Sequence, residues 1–282
     1  MLILVGLGFS PGLITRAAES ALRSADLVLV DTYTSPASGW GLELVRSINP
    51  RARPASRREL EEESWRIVEL ARSATVAIAV VGDPLIATTH ASLLVEAATK
   101  GVKVGVVPGV SGPCSAMSVS GLQFYRFGAT ATVPGPWRGA KAYHTVLVLL
   151  GNLCNNLHTL LLLDVSPEGR ALDPATALRL LRDSAAEALG TSDFLDGLAA
   201  VYVEARESGA LAYGGTIGEL AGLPGKEGVG SIVVPARLHP IEEEYLRSVL
   251  RVPEAAIESH KRALSAHDYC AIRSRYEEKV AA

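Results

Sequence analysis

Cysteine is scarce in this sequence: Cys114, Cys154 and Cys270 stand isolated along 282 residues. Neither the paired spacing of a zinc site nor the even, dense pattern of a disulfide scaffold is present. The count therefore predicts no disulfide and a reducing, cytoplasmic setting. A basic excess is also missing. With 27 basic and 30 acidic residues the net charge is −3, which argues against a nucleic-acid partner. The longest apolar runs, such as Leu160–Leu163 with its neighbours, are too short to span a bilayer, so no membrane association is expected. The apolar N-terminus has no basic flank and is interrupted by Gly8–Gly12, which argues against a secretory leader. Methionine and glutamine are rare while arginine outnumbers lysine, a bias that fits a hot habitat and a GC-rich genome equally well. No internal repeat or low-complexity tract occurs. What is present is a 48% apolar composition with a mean hydropathy of +0.24, enough to bury the cores of two modest α/β domains.

The chain is organised around Val76–His90, VAIAVVGDPLIATTH. Val76–Val81 is a continuous apolar, β-branched run, the pattern of a strand buried on both faces. Gly82-Asp83-Pro84 ends it, which leaves Asp83 at the carboxyl end of a buried strand, where open α/β sheets bind ligands. A plain turn with Asp83 facing water accounts for the same residues. The hydroxyls of Thr88 and Thr89 are candidates to cap the helix that runs on to about Lys100.

Before this stretch, strands are expected at Leu2–Val5 and Leu27–Val30. Helices are expected over about Leu13–Ser24, Ser38–Asn49 and the amphipathic Glu59–Ser73, whose acidic Glu59–Glu63 reads as a solvated face. After it come a strand at Val102–Val107 and the punctuated loop Pro108–Pro113. The small-residue helix Cys114–Ser120 follows. This alternation predicts βαβ units and a mostly parallel sheet. Beyond about Phe127 the βα alternation thins. Strands at Ala129–Val133, Leu157–Val165, Ala199–Ala205 and Ser231–Pro235, with helices at Pro174–Leu189 and Ile241–Val252, predict a second α/β domain with a mixed sheet. The expected division is residues 1–127, 128–252, and a helical tail over 253–282, appended or loosely docked.

Three loops follow strands. Gly6-Leu7-Gly8 opens toward a helix and, with Asp31 ending the next strand, admits a nicotinamide-dinucleotide reading. Against it, the third glycine, Gly12, is misplaced, and Pro11 sits where N–H donors should face a pyrophosphate. That reading also leaves the Gly82–Pro84 and Pro108–Pro113 loops unexplained. A glycine turn needed only for packing is the plain alternative. No Ser-His-Asp order, metal cluster or close carboxylate pair accompanies the loops. His90 reads as a cap or packing residue before a base, and His158 and His239 read as structural. Tyr33 and Tyr125 are either substrate contacts or ordinary packed tyrosines.

Taken together, the blocks VGLG at Val5–Gly8, DTYTS at Asp31–Ser35 and GDPLIATTH at Gly82–His90 resemble the tetrapyrrole-methylase-like class of S-adenosylmethionine-dependent methyltransferases. With SGLQFYRFG at Ser120–Gly128, HTLLLLD at His158–Asp164 and VVPARLH at Val233–His239, the pattern is similar to the diphthine synthase branch of that class. The resemblance runs to about Val252. It implies two α/β domains with S-adenosylmethionine in the cleft between them. It further implies methylation of the amino group of a modified histidine of translation elongation factor 2, and a homodimer. By position, the cofactor contacts it implies are Phe9, Asp83, Ile86, Ser111, Gly112, Pro113, Leu163, Glu207 and Gly230. The sequence departs from the family in three places, one of them a one-residue shift of the alignment near Glu207. Ser111 lies one residue early, with Gly112-Pro113 in the best-aligned positions, and Gly230 stands where histidine is frequent. A tetrapyrrole methyltransferase and an NAD-dependent dehydrogenase are the competing enzymes, and a non-enzymatic cofactor-binding module is the competing class. Methyl transfer asks mainly for proximity and orientation, which suits a site built from main chain.

Overall fold

The structure, a computed structural model, describes residues 1–34, 38–206, 209–225 and 228–281. It divides into two compact units. One comprises Met1–Cys114 with Pro167–Arg170 and Ala205–Gly209; the other comprises Ser115–Ser166, Ala171–Glu204 and Ala210–Ala282.

In the first unit the elements are β1 (Leu2–Gly6), α1 (Arg16–Ser24), β2 (Leu27–Asp31), α2 (Ser38–Ile48), β3 (Arg53–Ala55), α3 (Ser64–Leu70), β4 (Val76–Val80), α4 (Ala91–Thr99) and β5 (Val104–Val107). The strands form one parallel sheet in the order β3-β2-β4-β1-β5. All five residues of β4 are fully buried, as the unbroken apolar run requires. Val76, Ile78 and Val80 face one layer with α3 and α4, while Ala77 and Ala79 face the other with α1 and α2. Full burial of each Val or Ile side chain contributes roughly 1.5–3 kcal/mol.

The helices after the neighbouring strands β1 and β4 pack on opposite faces: Ala18 and Leu22 of α1 on one side, Leu93 and Ala97 of α4 on the other. This is the topological switch point of an open α/β sheet, the place where such sheets bind ligands at the carboxyl ends of their strands. The first helix starts later than expected. Pro11 begins a 3-10 turn, Pro11–Leu13, and Thr15 then caps α1 by accepting the Ala18 N–H at 3.1 Å. Instead of one helix over Glu59–Ser73, there is a π-helical turn, Arg58–Glu62, followed by the short α3.

The chain continues through α5 (Gly112–Val119) into the second unit, with β6 (Ala131–Val133), α6 (Tyr143–Cys154), β7 (Thr159–Leu163), α7 (Pro174–Leu189), α8 (Asp193–Asp196), β8 (Ala199–Arg206), β9 (Gly209–Thr216), α9 (Ile217–Ala221), β10 (Val229–Val234), α10 (Pro240–Ser248), α11 (Glu254–Ala266) and α12 (Tyr269–Ala281). The sheet order is β6-β7-β10-β8-β9, parallel between β6 and β7 and antiparallel between β7 and β10, so the sheet is mixed as expected. Five elements lie outside the expected set: the short β3, α8 and α9, and the longer α6 and β9. The apolar run of α6 has no strand-like boundaries, and the glycines of β9 mask its pairing.

Two further expectations are corrected here. Cys154, at the end of α6, is joined to Cys270 in the first turn of α12, whereas the sequence predicts isolated thiols. A separation of 116 residues hides this pair from any spacing argument, and Cys114 is the free, exposed thiol. The tail is not loosely docked either. Tyr269 and Tyr276 are buried in the same cluster as α6 and α7, and the Tyr269 hydroxyl donates to the Phe194 carbonyl at 2.8 Å. Among the described residues, no helix is long and apolar enough to cross a membrane.

Candidate active site

The three strand-end loops of the first unit meet through their backbones. Gly82 exchanges two hydrogen bonds with Gly8: its N–H donates to Gly8 O at 2.7 Å, and its carbonyl accepts the Gly8 N–H at 3.1 Å. A Cβ on Gly109 would lie 2.0 Å from Gly82 O, and one on Gly6 would lie 2.5 Å from Gly109 N. Only glycine permits this three-way approach. Gly82 itself sits at φ +83° with open space where a side chain would project, so the main chain is bare there.

Asp83 joins two of the loops. One carboxylate oxygen accepts the N–H of Leu85 at 2.9 Å and the other accepts the N–H of Gly109 at 3.1 Å. It is thus a fastener of the crevice floor before it is a free anchor. Beyond it Leu85 and Ile86 are 41% and 40% exposed, an apolar edge that no protein group covers within this loop. Phe9 lies against Gly112, with 3.8 Å between its Cβ and an ideal Gly112 Cβ. Ser111 is buried, and its hydroxyl accepts the Cys114 N–H at 3.3 Å, which starts α5, with Pro113 in the first turn. The structure therefore brings Phe9, Asp83, Ile86, Ser111, Gly112 and Pro113 onto three loops that share one edge of the sheet.

The dinucleotide reading fails on Asp31. This residue is buried, and its carboxylate already accepts the N–H groups of Tyr33 at 2.9 Å and Thr34 at 3.2 Å, together with the Thr34 hydroxyl. His90 Nε2 approaches its other oxygen at 3.0 Å, so no acceptor remains for a ribose. His90 is 2% exposed and makes no cap hydrogen bond for α4. The capping expectation for the threonines is also corrected: Thr88 donates to the Pro84 carbonyl at 2.6 Å and Thr89 to Glu61 at 2.8 Å. Glu61 also accepts the Tyr33 hydroxyl at 3.1 Å. Burial acts to raise the Glu61 pKa, but the hydrogen bonds from Arg57, Thr89 and Tyr33 outweigh it and hold it below the ordinary carboxylate value. The burial of Tyr33 beside these carboxylates pushes its phenol well above the usual range, so it stays protonated. Part of the expected solvated Glu59–Glu63 face is therefore a binding partner of the loop after β4.

The sequence profile of the tetrapyrrole (corrin/porphyrin) methylases matches residues 1–193, spanning the loops just described. The chain belongs to this family. It is 44% identical over 250 residues to a diphthine synthase of Aeropyrum pernix, with 86% of this chain and 85% of that protein covered. It is 41% identical to one of Methanopyrus kandleri, with 88% and 95% covered. Among solved structures, a conserved hypothetical protein of Aeropyrum pernix K1 superposes with a TM-score of 0.84 at 38% identity, covering 95% of this chain and 98% of that one. A crystal structure of diphthine synthase superposes with a TM-score of 0.79 at 31% identity, covering 92% and 98%.

Of the remaining positions that the resemblance implies, Leu163 and Gly230 lie in the second unit. Leu163 ends β7, half-buried against the cluster that contains Leu161, while Leu162 points into the opposite cluster, as strand alternation demands. Asp164, directly after it, accepts from Gly135 N–H, Trp137 Nε1–H and Arg138, and so fixes the Pro134–Gly139 loop. At Gly230, a Cβ would lie 2.3 Å from Val203 O and 2.6 Å from the Tyr202 ring. Tyr202 occupies the room a larger side chain would need, which is the physical reason this chain has glycine there. Glu207 lies outside the described residues.

Residues from three of the family-like blocks meet in one buried network. Arg126, His158 and His239 converge on Glu242 of α10, a fully buried carboxylate that sequence reading did not single out. It accepts from Gln123 N–H (2.9 Å), Arg126 (2.5 Å), His158 Nε2 (3.1 Å) and His239 N–H (2.7 Å). His158 Nδ1 accepts the Ala236 N–H at 2.9 Å, which places its proton on Nε2. Burial alone would raise the Glu242 pKa, but the Gln123 and His239 amides together with His158 hold it low. A run such as IEEEYL carries no signal that its first glutamate is the buried one.

Proposed function

We propose that this methyltransferase uses S-adenosylmethionine to methylate the amino group of the modified histidine of translation elongation factor 2, in the cytoplasm and as a homodimer. The observation that carries the reading is the three-loop floor at Gly6, Gly82 and Gly109, whose bare main chain and apolar Ile86 edge suit a flat nucleoside with a polar tail, in a chain 44% identical to a diphthine synthase. Phe9 and Ile86 offer apolar contact, and Ser111, Gly112 and Pro113 offer the start of α5. Leu163 and Gly230 of the second unit, and Glu207, are assigned to the same cofactor.

When bound, S-adenosylmethionine supplies a methyl group on a sulfonium, a good leaving group. The chain's task is then orientation: rigid backbone holds the donor while a neutral amine is aligned with it. The loops present no Ser-His-Asp order, and the carboxylates of Asp31, Asp83 and Glu61 are already engaged as acceptors. Proton removal from the amine is accordingly left to solvent before binding.

Calorimetric titration with S-adenosylmethionine and with NAD separates the two nucleotide readings, and binding of NAD alone would end this one. Transfer of labelled methyl to elongation factor 2 bearing the precursor side chain tests the substrate. Leu163→Asp is expected to abolish the cofactor-induced rise in melting temperature, whereas an equal rise in variant and wild type would remove Leu163 from the site.

A further inference from the structure

The loop from Gly82 to His90 carries a strained residue. Ala87 has φ +58°, a left-handed conformation that a side chain disfavours. It is exposed, between exposed Ile86 and half-buried Thr88, where burial supplies little to hold it. Strain of this kind persists only where neighbouring contacts over-determine it. Those contacts are made by the next three side chains in turn: Thr88 to Pro84 O at 2.6 Å, Thr89 to Glu61 at 2.8 Å, and His90 to buried Asp31 at 3.0 Å. Asp31 and Glu61 are themselves tied together through Tyr33, whose N–H donates to the first and whose hydroxyl donates to the second. The Tyr33 and His90 rings meet edge to face, 6.4 Å apart. A buried acid–imidazole pair is a weak source of net stability, but it holds one geometry.

We infer that the Asp31–His90 pair, with Thr89–Glu61 beside it, is a latch that holds the Ile86–Ala87 turn in its cofactor-binding shape, so that His90 and Asp31 are positioning residues for the methyl donor. This rests on the assignment of Asp83 and Ile86 to S-adenosylmethionine. With the latch open, Ala87 relaxes to negative φ and carries Ile86 away from the crevice. His90 never touches the donor.

The test is calorimetric binding of S-adenosylmethionine to the full chain, with methyl-transfer kinetics on elongation factor 2 alongside. His90→Ala is expected to raise both Kd and the donor KM by about tenfold, the factor set by one left-handed residue, with kcat at saturating donor little changed. His90→Gln, which retains an N–H for Asp31, should recover much of the affinity. Ala87→Gly added to His90→Ala should also recover it, because glycine adopts the turn without strain. Thr89→Val, at an exposed position that leaves the core intact, should weaken binding about threefold and serves if His90→Ala fails to fold. Wild-type affinity in His90→Ala or in Thr89→Val would overturn the latch. A loss confined to kcat would overturn the positioning role, and failure of Ala87→Gly to rescue would overturn the link to strain. A wild type that does not bind the donor would instead defeat the functional reading beneath it.

Discussion

The two units use charge in opposite ways. In the first, carboxylates at strand ends gather loop amides and hydroxyls: Asp83 holds Leu85 and Gly109, and Asp31 holds Tyr33, Thr34 and His90. These bonds shape loops around an edge of the sheet where bare backbone faces outward. In the second, Glu242 is sunk among Arg126, His158 and the start of α10, His260 is sealed between Ala199 N–H and Ala236 O, and Cys154 is bonded to Cys270. Acids at a strand edge set local geometry at modest stability cost. A buried hub with a long-range crosslink sets global stability. Damage to the buried hub of the second unit should therefore cost stability, and damage to the strand-end loops of the first should cost donor affinity.

The largest effect is expected at Glu242. Glu242→Ala leaves the Arg126 charge and several N–H donors without their acceptor and should cost about 3–5 kcal/mol in urea unfolding. A loss below about 1 kcal/mol would mean that the network is not the hub it appears from geometry.

Next is the Cys154–Cys270 bridge, which closes a 116-residue separation. Cys154→Ser should lower unfolding stability by about 2–4 kcal/mol through the freedom restored to the unfolded chain. Donor affinity, measured where both proteins are folded, should stay unchanged; a parallel loss of affinity would blur the division between units.

The third test is acid. Burial pushes the His260 imidazole down to about 4, so the unfolded chain binds a proton there before the folded chain does. Stability tied to this group is full above the unfolded pKa of about 6.5 and is lost as pH falls toward 4, by up to about 3 kcal/mol. His158, also lowered by burial, adds to the same trend. Urea midpoints at pH 7 and pH 5 should differ in wild type, and His260→Asn should flatten the difference; an unchanged slope would exclude His260 as its source.

The smallest stability change, paired with a clear binding change, is expected at Asp83. Asp83→Ala removes the fastener between two loops and should weaken donor binding by about 1.5–3 kcal/mol, roughly tenfold to a hundredfold, with little shift in melting temperature. Asp83→Asn retains one acceptor and should fall between. Melting that drops as far as in Glu242→Ala would show that the crevice floor also holds the first unit together.

The apolar run before Gly82-Asp83-Pro84, the alternation of strands and helices up to Val107 and the glycine-punctuated loops were enough to determine a parallel α/β sheet with those loops gathered at its strand ends. Periodicity and turn chemistry are local, and local patterns survive in a string of letters. Leu163 against Leu162 was legible for the same reason, since a strand alternates. Which carboxylate would be buried was decided only by tertiary structure. Glu242 looks like its acidic neighbours, and it became the hub because the Gln123–Arg126 turn, His158 and the cap of α10 close around it. The Cys154–Cys270 bond, the tyrosine ring that forces Gly230 and the Asp31–His90 pair behind a strained alanine are likewise contacts between distant segments. Their energies come from desolvation and proximity that exist only once the chain has folded.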